Sequence, residues 1–582
     1  IAPLMPNSSA GYFIVNAAPA AISSTSCRPR HPLLLACLAS LFFTTPGHGA
    51  APPDAGQVLR EMRGGERDMR PEKAEEPVIE ALPRPAIKLP EGIRIPVGAF
   101  RVSGNSAIPS AELDALVRPW AGQTLDLAGL NDAAGAITRH YQSRGYLLSY
   151  AYLPAQKVVD GVVEIAVLEG RVDAVQVVAA QDVRLRDDVI QRHVGDIAEA
   201  STLRQADLER RLLLLNDMPG VVARGAFTPG ARPGTADLVL SVVEEDPLAN
   251  SLVFNNHGGD STGHLRLGVN FQLKDIFGLG DSTRFNLLAS EKGLLVNGGL
   301  NTRVPVGGDG WALEAGLGRV TYELDGAFAN LGARGEATSL SLGASYPILR
   351  GLDRNLYFQA GYEHKWLRDL LTLIADETRK HSDAFSLRLS LDQRDDFLGG
   401  GRSNVSLGLL RGDLSASTTG LVTPRAQGNF NKINAVLGRQ QNLGGNWSLS
   451  GHAQGQYTRD NLDSSEKLGL TGPYGVRAYG PGELTADRGA LASLELRYSQ
   501  PFTGGTLTWS LFHDHAWAIR DVSAPPGSAG NRVSLLGSGF GAEWRAGEDL
   551  RALVTAAWRG GLGPSVDGDS RPRVYFQLNK GF

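Results

Sequence analysis

The stretch "HLRLGVNFQL" (264–273) places Leu265, Leu267, Val269, Phe271 and Leu273 on one face of an extended segment, with His264, Arg266, Gly268, Asn270 and Gln272 on the other. A period of two means a strand, because successive side chains point to opposite faces of a sheet. A soluble sandwich also alternates, since one of its faces is apolar. Two features favour a membrane barrel. The opposite face stays polar or charged over about ten residues, the spanning length of a tilted strand. The chain also ends in "VYFQLNKGF" (574–582), where Val574, Phe576 and Leu578 alternate towards a terminal aromatic, Phe582. "LASLELRY" (491–498) repeats the pattern, with Ala492, Leu494, Leu496 and Tyr498 outward and Ser493, Glu495 and Arg497 opposite. No apolar run of helix length occurs in the mature chain, so any spanning falls to a closed sheet. At roughly 20 residues per strand with its loop, the chain after Pro247 allows about 14 to 18 strands.

Composition agrees with an exported sheet protein. Across 582 residues, 57 Lys+Arg against 61 Asp+Glu leave a net charge of -4, without the basic excess that nucleic-acid binding requires. Glycine, 71 residues in all, is well above the usual level of about 7% and follows no collagen period, as expected of a large sheet with many turns. Arg28-Pro-Arg-His31, the apolar run "LLLACLASLFF" (33–43) and the small residues Gly49 to Ala51 read as a secretory signal peptide, too short to span a bilayer. Residues 1–51 are therefore expected to be a signal peptide with a possible gene-start extension, since the chain opens on Ile1. Both cysteines, Cys27 and Cys37, fall inside that segment. "LLAC" at Cys37 superficially resembles a lipoprotein cleavage site, but only three leucines and an alanine separate it from Pro32.

Four further segments follow. Residues 52–70 hold a short polar helix over "AGQVLREMRGGERDM" (55–69), weakened by Gly64-Gly65, and 71–96 form a linker stiffened by Pro71, Pro77, Pro83, Pro85, Pro90 and Pro96. From 97 to 246 the chain repeats with an offset of 75 residues. "FRVSGN" (100–105) matches "VQVVAA" (175–180), and the helical stretch 127–144, with Leu127, Leu130, Ala134, Ile137 and Tyr141 on one face, matches 202–216, with Leu203, Leu208, Leu212 and Leu215. Two strand-like runs end each unit, the first pair joined through Asp160-Gly161. Two β-α-α-β-β modules, 97–171 and 172–246, are expected ahead of a barrel over 247–582. Inside the barrel region, "GPYGVRAYGPGELTADRG" (472–489) breaks the alternation with five glycines and two prolines. Such a stretch is a long loop, either solvated or folded back to hold Arg477 at a working position.

This order of parts resembles the two-partner secretion transporters, the haemolysin and filamentous haemagglutinin secretion-activation family within the superfamily of polypeptide-transporting outer-membrane barrels. The local signatures are "GNSAIPSAELDAL" (104–116), "ITRHYQSRGYLLSYAYLPAQKVVDGVVEIAVLEGRV" (137–172), "GLGDS" (278–282) and Val476-Arg477-Ala478-Tyr479. The resemblance implies α+β periplasmic modules of the polypeptide-transport-associated (POTRA) type and a transmembrane antiparallel β-barrel of about 16 strands. It implies that the 52–70 helix plugs the resting pore. It further implies that the loop after the eleventh strand folds inward with Gly475, Val476, Arg477, Ala478 and Tyr479 at its tip. Arg477 would then meet Asp514 in "FHDHA" (512–516), a wall motif that also holds Phe512, and Phe582 would serve as the assembly signal. The expected partners are a co-encoded secreted exoprotein, outer-membrane lipid and the outer-membrane assembly machinery, with no cofactor and no nucleic acid. Ala478 and Ala516 stand where the family has glycine, and alanine tolerates positive φ poorly.

Competing functions fare less well. An insertase of the same superfamily would share the loop motif but normally carries three or more modules, and a passive porin needs none. "GDSTG" (259–263) fits a nucleophile elbow only if a helix follows, whereas an alternating strand does. "HDH" (513–515) puts His513 and His515 on one strand face and Asp514 on the other, so the three cannot converge on a metal.

Overall fold

The computed structural model describes residues 52–66, 79–80, 94–180, 182–199, 203–232, 234–419, 426–524, 530–547, 549–560 and 572–582. The expected signal peptide lies outside the described residues, as does most of the linker. Helix α1 (Ala55–Glu66) opens the described chain, and Asp54 caps it by accepting the Gln57 N–H at 2.9 Å. Of the linker, Ile79–Glu80 form a short strand, β1.

The first module runs β2 (Ala99–Ser103), α2 (Ser110–Val117), α3 (Leu127–Ser143), β3 (Tyr150–Tyr152) and β4 (Val162–Leu168). Asp126 caps α3 through the Gly129 N–H, and Gly145, at φ 89°, turns the chain out of it. Asp160 and Gly161, at φ 53° and 70°, supply the two left-handed residues that a tight hairpin turn needs. Ala134, Ile137 and Tyr141 face the main core of the module and Leu130 a smaller cluster with Val97, Leu125 and Val163, as their spacing requires.

The second module repeats the order as β5 (Arg171–Ala179), α4 (Asp187–Val194), α5 (Gln205–Asn216), β6 (Val221–Pro229) and β7 (Thr235–Glu244). Leu208, Leu212 and Leu215 of α5 pack with Leu238 and Leu240 of β7 in its core. Its sheet has the order β1-β6-β7-β5, so the linker strand adds in parallel to the β6 edge, with Ile79 opposite Gly225.

Sixteen strands, β8 (Leu248–Asn255) to β23 (Arg573–Gly581), then close into an antiparallel barrel. β23 seals it against β8, with Phe254 opposite Leu578 and Ser251 opposite Gly581. Closure leaves no unpaired edge in the bilayer, which lipid would not tolerate. The outward positions are apolar and exposed, among them Leu267, Leu494, Leu511 and Phe540. Aromatic pairs such as Trp311/Tyr346 and Trp447/Tyr498, each 4.8 Å apart, mark the end nearer the modules, as an interfacial girdle does. No helix among the described residues is long and apolar enough to cross a membrane.

The second module is fastened to the short turns at that same end. Arg350, which ends β13 (Ala333–Arg350), grips Asp217 with both ends of its fork at 2.7 and 2.8 Å. Arg210 donates to the Pro347 carbonyl at 2.9 Å, and Glu209 accepts the Leu352 N–H at 2.7 Å. These bonds assign the turn end of the barrel to the side of the modules.

Two outcomes are expected. Leu212→Ala should cost the second module about 2–5 kcal/mol, read as proteolytic cleavage within 172–246 at lower urea; an unchanged profile would contradict its place in the core. Phe582 donates its N–H to the Asn250 carbonyl at 3.1 Å beside the seam, so deleting it should lower the yield of heat-modifiable, folded barrel. Equal yield would show that the seam closes without it.

Candidate functional site

The loop between the eleventh barrel strand, β18 (Trp447–Thr458), and the twelfth, β19 (Arg488–Phe502), turns back into the lumen. A two-residue ladder, Leu468–Gly469 against Thr485–Ala486, narrows its neck. Val476 donates its N–H to the Leu470 carbonyl at 2.8 Å, and Gly475 donates to that of Gly472 at 3.0 Å. Gly475 has no room for a side chain: a Cβ there would lie 2.5 Å from the Leu470 carbonyl. Val476, Ala478 and Tyr479 are buried against Phe512, Ala516, Ala518, Val533, Leu535 and Ala557 of the wall. The wall leaves space for them by being small. A Cβ on Gly537 would come within 2.9 Å of Ala478 and 3.0 Å of Val476.

Arg477 occupies the middle of this contact. Its backbone N–H donates to Asp514 Oδ2 at 3.1 Å, Nε donates to the same oxygen at 2.9 Å, and Nη2 donates to Oδ1 at 2.7 Å. Nη1 donates to Glu495 Oε2 at 3.0 Å, and Nη2 also reaches Ser493 Oγ at 3.1 Å. Ser493 in turn donates to Asp514 Oδ1 at 2.7 Å. The guanidinium lies 3.3 Å from the centroid of the Phe512 ring, so the fork and the flat face are both used, which a lysine could not reproduce. Asp514 is fully buried, and without a cation its carboxylate would carry an uncompensated desolvation cost.

Of the remaining expected residues, Tyr479 sits beside this pair. The Arg559 guanidinium stacks over the Tyr479 ring at 4.8 Å, and Tyr575 donates its hydroxyl to the Tyr479 carbonyl at 2.8 Å. Ala478 is absent from the residues with positive φ, so alanine fits where the family has glycine. Ala516 is buried in β20 (Gly505–Ile519), where a β-conformation suits it equally. His513 and His515 are exposed on the outer face while Asp514 points inward; among the described residues no group of side chains could hold a metal ion. Phe582 lies apart from this site, at the end near the modules.

Helix α1 packs on the inner wall beside the loop. Ala55, Val58, Leu59 and Met62 pack on Leu295, Val320, Tyr322 and Leu367 of the wall, an apolar stripe at helical spacing within a stretch whose average is polar. Its other face is tied down by charge. Lys380 bridges Asp54 at 2.8 Å and Asp463 at 2.7 Å, Arg63 pairs with Glu363, and the Ala55 N–H donates to Asp369 at 2.8 Å. Arg60 donates to the Ser464 carbonyl at 2.5 Å, and a Cβ on Gly56 would clash with Ser464. Glu466, three residues after Asp463, binds Lys365 and Lys432. The segment 463–466 therefore touches both α1 and the wall, joining the loop to the helix. Glu495, Ser493 and these lysines were not among the residues expected at the site. Their inward parity on alternating strands was the available signal, but naming partners needs the strand register.

The chain was compared with known proteins. The model of the family described as haemolysin secretion/activation protein ShlB/FhaC/HecB matches residues 234–543, and that of the ShlB-type POTRA domain matches residues 95–170. The heme/hemopexin transporter protein HuxB of Haemophilus influenzae (strain 86-028NP) is 24% identical over 572 residues, covering 95% of this chain and 100% of that protein. The outer membrane transporter CdiB of Escherichia coli is 25% identical, covering 90% of this chain and 89% of that protein. The solved structure of CdiB from Escherichia coli superposes with a TM-score of 0.71 at 21% identity, covering 92% of this chain and all of that one. CdiB from Acinetobacter baumannii gives 0.63 at 16%, with the same coverage.

Two outcomes follow from the geometry. Deleting residues 52–66 should raise single-channel conductance in planar bilayers, because the lumen loses its helix; unchanged conductance would mean that α1 does not obstruct the path. Arg477→Ala should cost the loop contact about 3–5 kcal/mol by stranding Asp514, and external protease should then cut within 472–487, which stays protected in the parent chain. Equal protection would show that other contacts suffice.

Proposed function

The chain belongs to the haemolysin secretion/activation protein family, and on that premise we propose that it takes an unfolded exoprotein from the periplasm through two POTRA modules and passes it outward through its barrel without hydrolysing nucleotide. The observation that carries this reading is a barrel whose lumen holds two segments of its own chain, each joined to the wall by ion pairs. A passive pore has no use for such removable parts. The modules offer helix–strand grooves and strand edges to which an extended segment can add by main-chain hydrogen bonds. Binding there supplies the first free energy, and folding of the exoprotein outside the cell biases the direction.

In this reading α1 is the plug that leaves when the partner engages. Arg477 and Asp514, with Phe512 behind the guanidinium, hold the loop tip Gly475–Tyr479 against the wall, so that the loop moves as a unit or serves as the fixed side of the conduit. The exoprotein is a co-encoded partner, and the assembly machinery reads the last strand with Phe582 during biogenesis. Insertion of other barrels is the second reading, because it uses the same loop contact. Two modules and a helix inside the lumen favour secretion over it.

Deleting residues 97–246 tests the proposal. Secretion of the co-encoded exoprotein should be abolished while the barrel still reaches the outer membrane as a heat-modifiable species. Undiminished secretion would remove the modules from the mechanism, and a general loss of other outer-membrane barrels would favour the insertase reading.

A further inference from the structure

The outer wall carries a feature that secretion does not use. On the side of the barrel away from the turns fastened to the modules, a groove of about 1050 Å³ crosses five neighbouring pairs of strands from β13 to β18. Its floor and walls are outward side chains, including Leu342, Phe385, Leu387, Leu409 and Ile433, all substantially exposed. The volume is at the top of the range of about 300–1,000 Å³ for small-molecule sites, enough for more than one acyl chain. Tyr362 and Phe385 stack at 4.9 Å along one wall, and Tyr457 stands at the other end.

Its upper rim carries arginines. Arg411 and Arg459 line the groove, both are exposed, and neither guanidinium makes a hydrogen bond or ion pair among the described residues. Arg488 joins them, with its guanidinium 4.7 Å from the Tyr457 ring centroid. Three carboxylates lie nearby, and Asp460 itself lines the groove. Asp460 accepts the Asn431 N–H at 2.8 Å, and Asp383 is hydrogen-bonded to Tyr362 at 2.6 Å and His364 at 2.7 Å. Asp413 is exposed two positions beyond Arg411 on the same face, on the side away from the apolar floor.

Depth and spacing identify the occupant. Arg411 stands ten residues along β16 (Gly401–Thr418) from its module-side end, and Tyr457 stands ten residues from Trp447 of the girdle. Ten tilted residues cross the apolar band, about 25 Å, so the arginines stand at the headgroup level of the outer leaflet. Arg411 pairs with Asn431 across the ladder, and Arg459 follows the residue that pairs with Lys432. The backbones of Arg411 and Arg459 therefore stand two strand spacings apart, about 10 Å. Guanidinium is the side chain best matched to phosphate.

We propose that this groove is a binding site for a multiply acylated, diphosphorylated glycolipid of the outer leaflet, with acyl chains on the Leu342–Ile433 floor and a phosphate at each of Arg411 and Arg459. The site fixes the barrel's depth and stiffens the wall strands, among them β14 (Arg354–Leu371) and β15 (Asp376–Asp395), whose inner faces hold α1. It shares only the outer-membrane orientation with the secretion reading, so it can fail while that reading stands.

The test uses the full chain purified in detergent and titrated with diphosphorylated lipid A, dephosphorylated lipid A or phosphatidylglycerol, with bound lipid counted by native mass spectrometry. Diphosphorylated lipid A should bind with one preferred equivalent. Arg411→Ser with Arg459→Ser should weaken it roughly 10- to 30-fold, from the usual contribution of a basic residue at an anionic surface. Ala360→Trp, which fills the floor without touching the charges, should also weaken it. Equal binding by parent and double variant, or phosphatidylglycerol binding as tightly as diphosphorylated lipid A, would overturn the proposal. Heat-modifiable migration checks that each variant is folded.

Discussion

A carboxylate in the wall of a barrel must have a partner, and Asp514 has one only because a loop brings Arg477 back from the far side of the membrane. The requirement is severe, because Asp514 is fully buried and an unpaired buried charge costs several kcal/mol. Much of the local sequence serves that single approach. Gly475 lets the loop pass close to its own backbone, Gly537 leaves room for Val476 and Ala478, and Phe512 supplies a flat face for the guanidinium. Glu495 and Ser493 absorb the donors that Asp514 does not take, so the whole fork is used.

The same loop reaches the helix. Asp463 shares Lys380 with Asp54, and Ser464 takes a hydrogen bond from Arg60. The first helix and the inward loop are thereby linked through one short segment, while their outer contacts go to opposite parts of the wall. Water or a polar chain can replace pairs of this kind, and the apolar stripe of α1 adds contact with the wall. The bond network at the module end, built on Arg350 and Asp217, couples the place where a partner would first bind to the strands that carry these charges.

Much of this was legible before any coordinates. The period of two in "HLRLGVNFQL" and "LASLELRY" sets the outward and inward faces, and Asp160-Gly161 marks a turn that the backbone needs. The Arg477–Asp514 contact is implied by the family resemblance of the loop tip and the "FHDHA" motif. Other features escaped for physical reasons. The stretch 55–66 is polar on average, and its apolar stripe at Ala55, Val58, Leu59 and Met62 means little until a wall exists to cover it. The pairing of Ile79–Glu80 with β6 depends on where a proline-rich linker runs, and no local pattern records that. Lys365, Lys380 and Lys432 were visible as charges, but their partners depend on loop residues whose position only closure of the barrel determines. Ala478 looked like a departure from the glycine expected there, yet it does not adopt the left-handed conformation that would exclude alanine.

The most direct test of the central claim is export of the co-encoded exoprotein by strains carrying Arg477→Ala, Asp514→Asn or both, with heat-modifiable migration reporting barrel folding. If the pair holds the loop for transport, each single change should abolish export from a folded barrel, and the double change should be no worse than either alone, since the two residues act as one unit. Export at the parental level in both single variants, with folded barrels, would contradict the account.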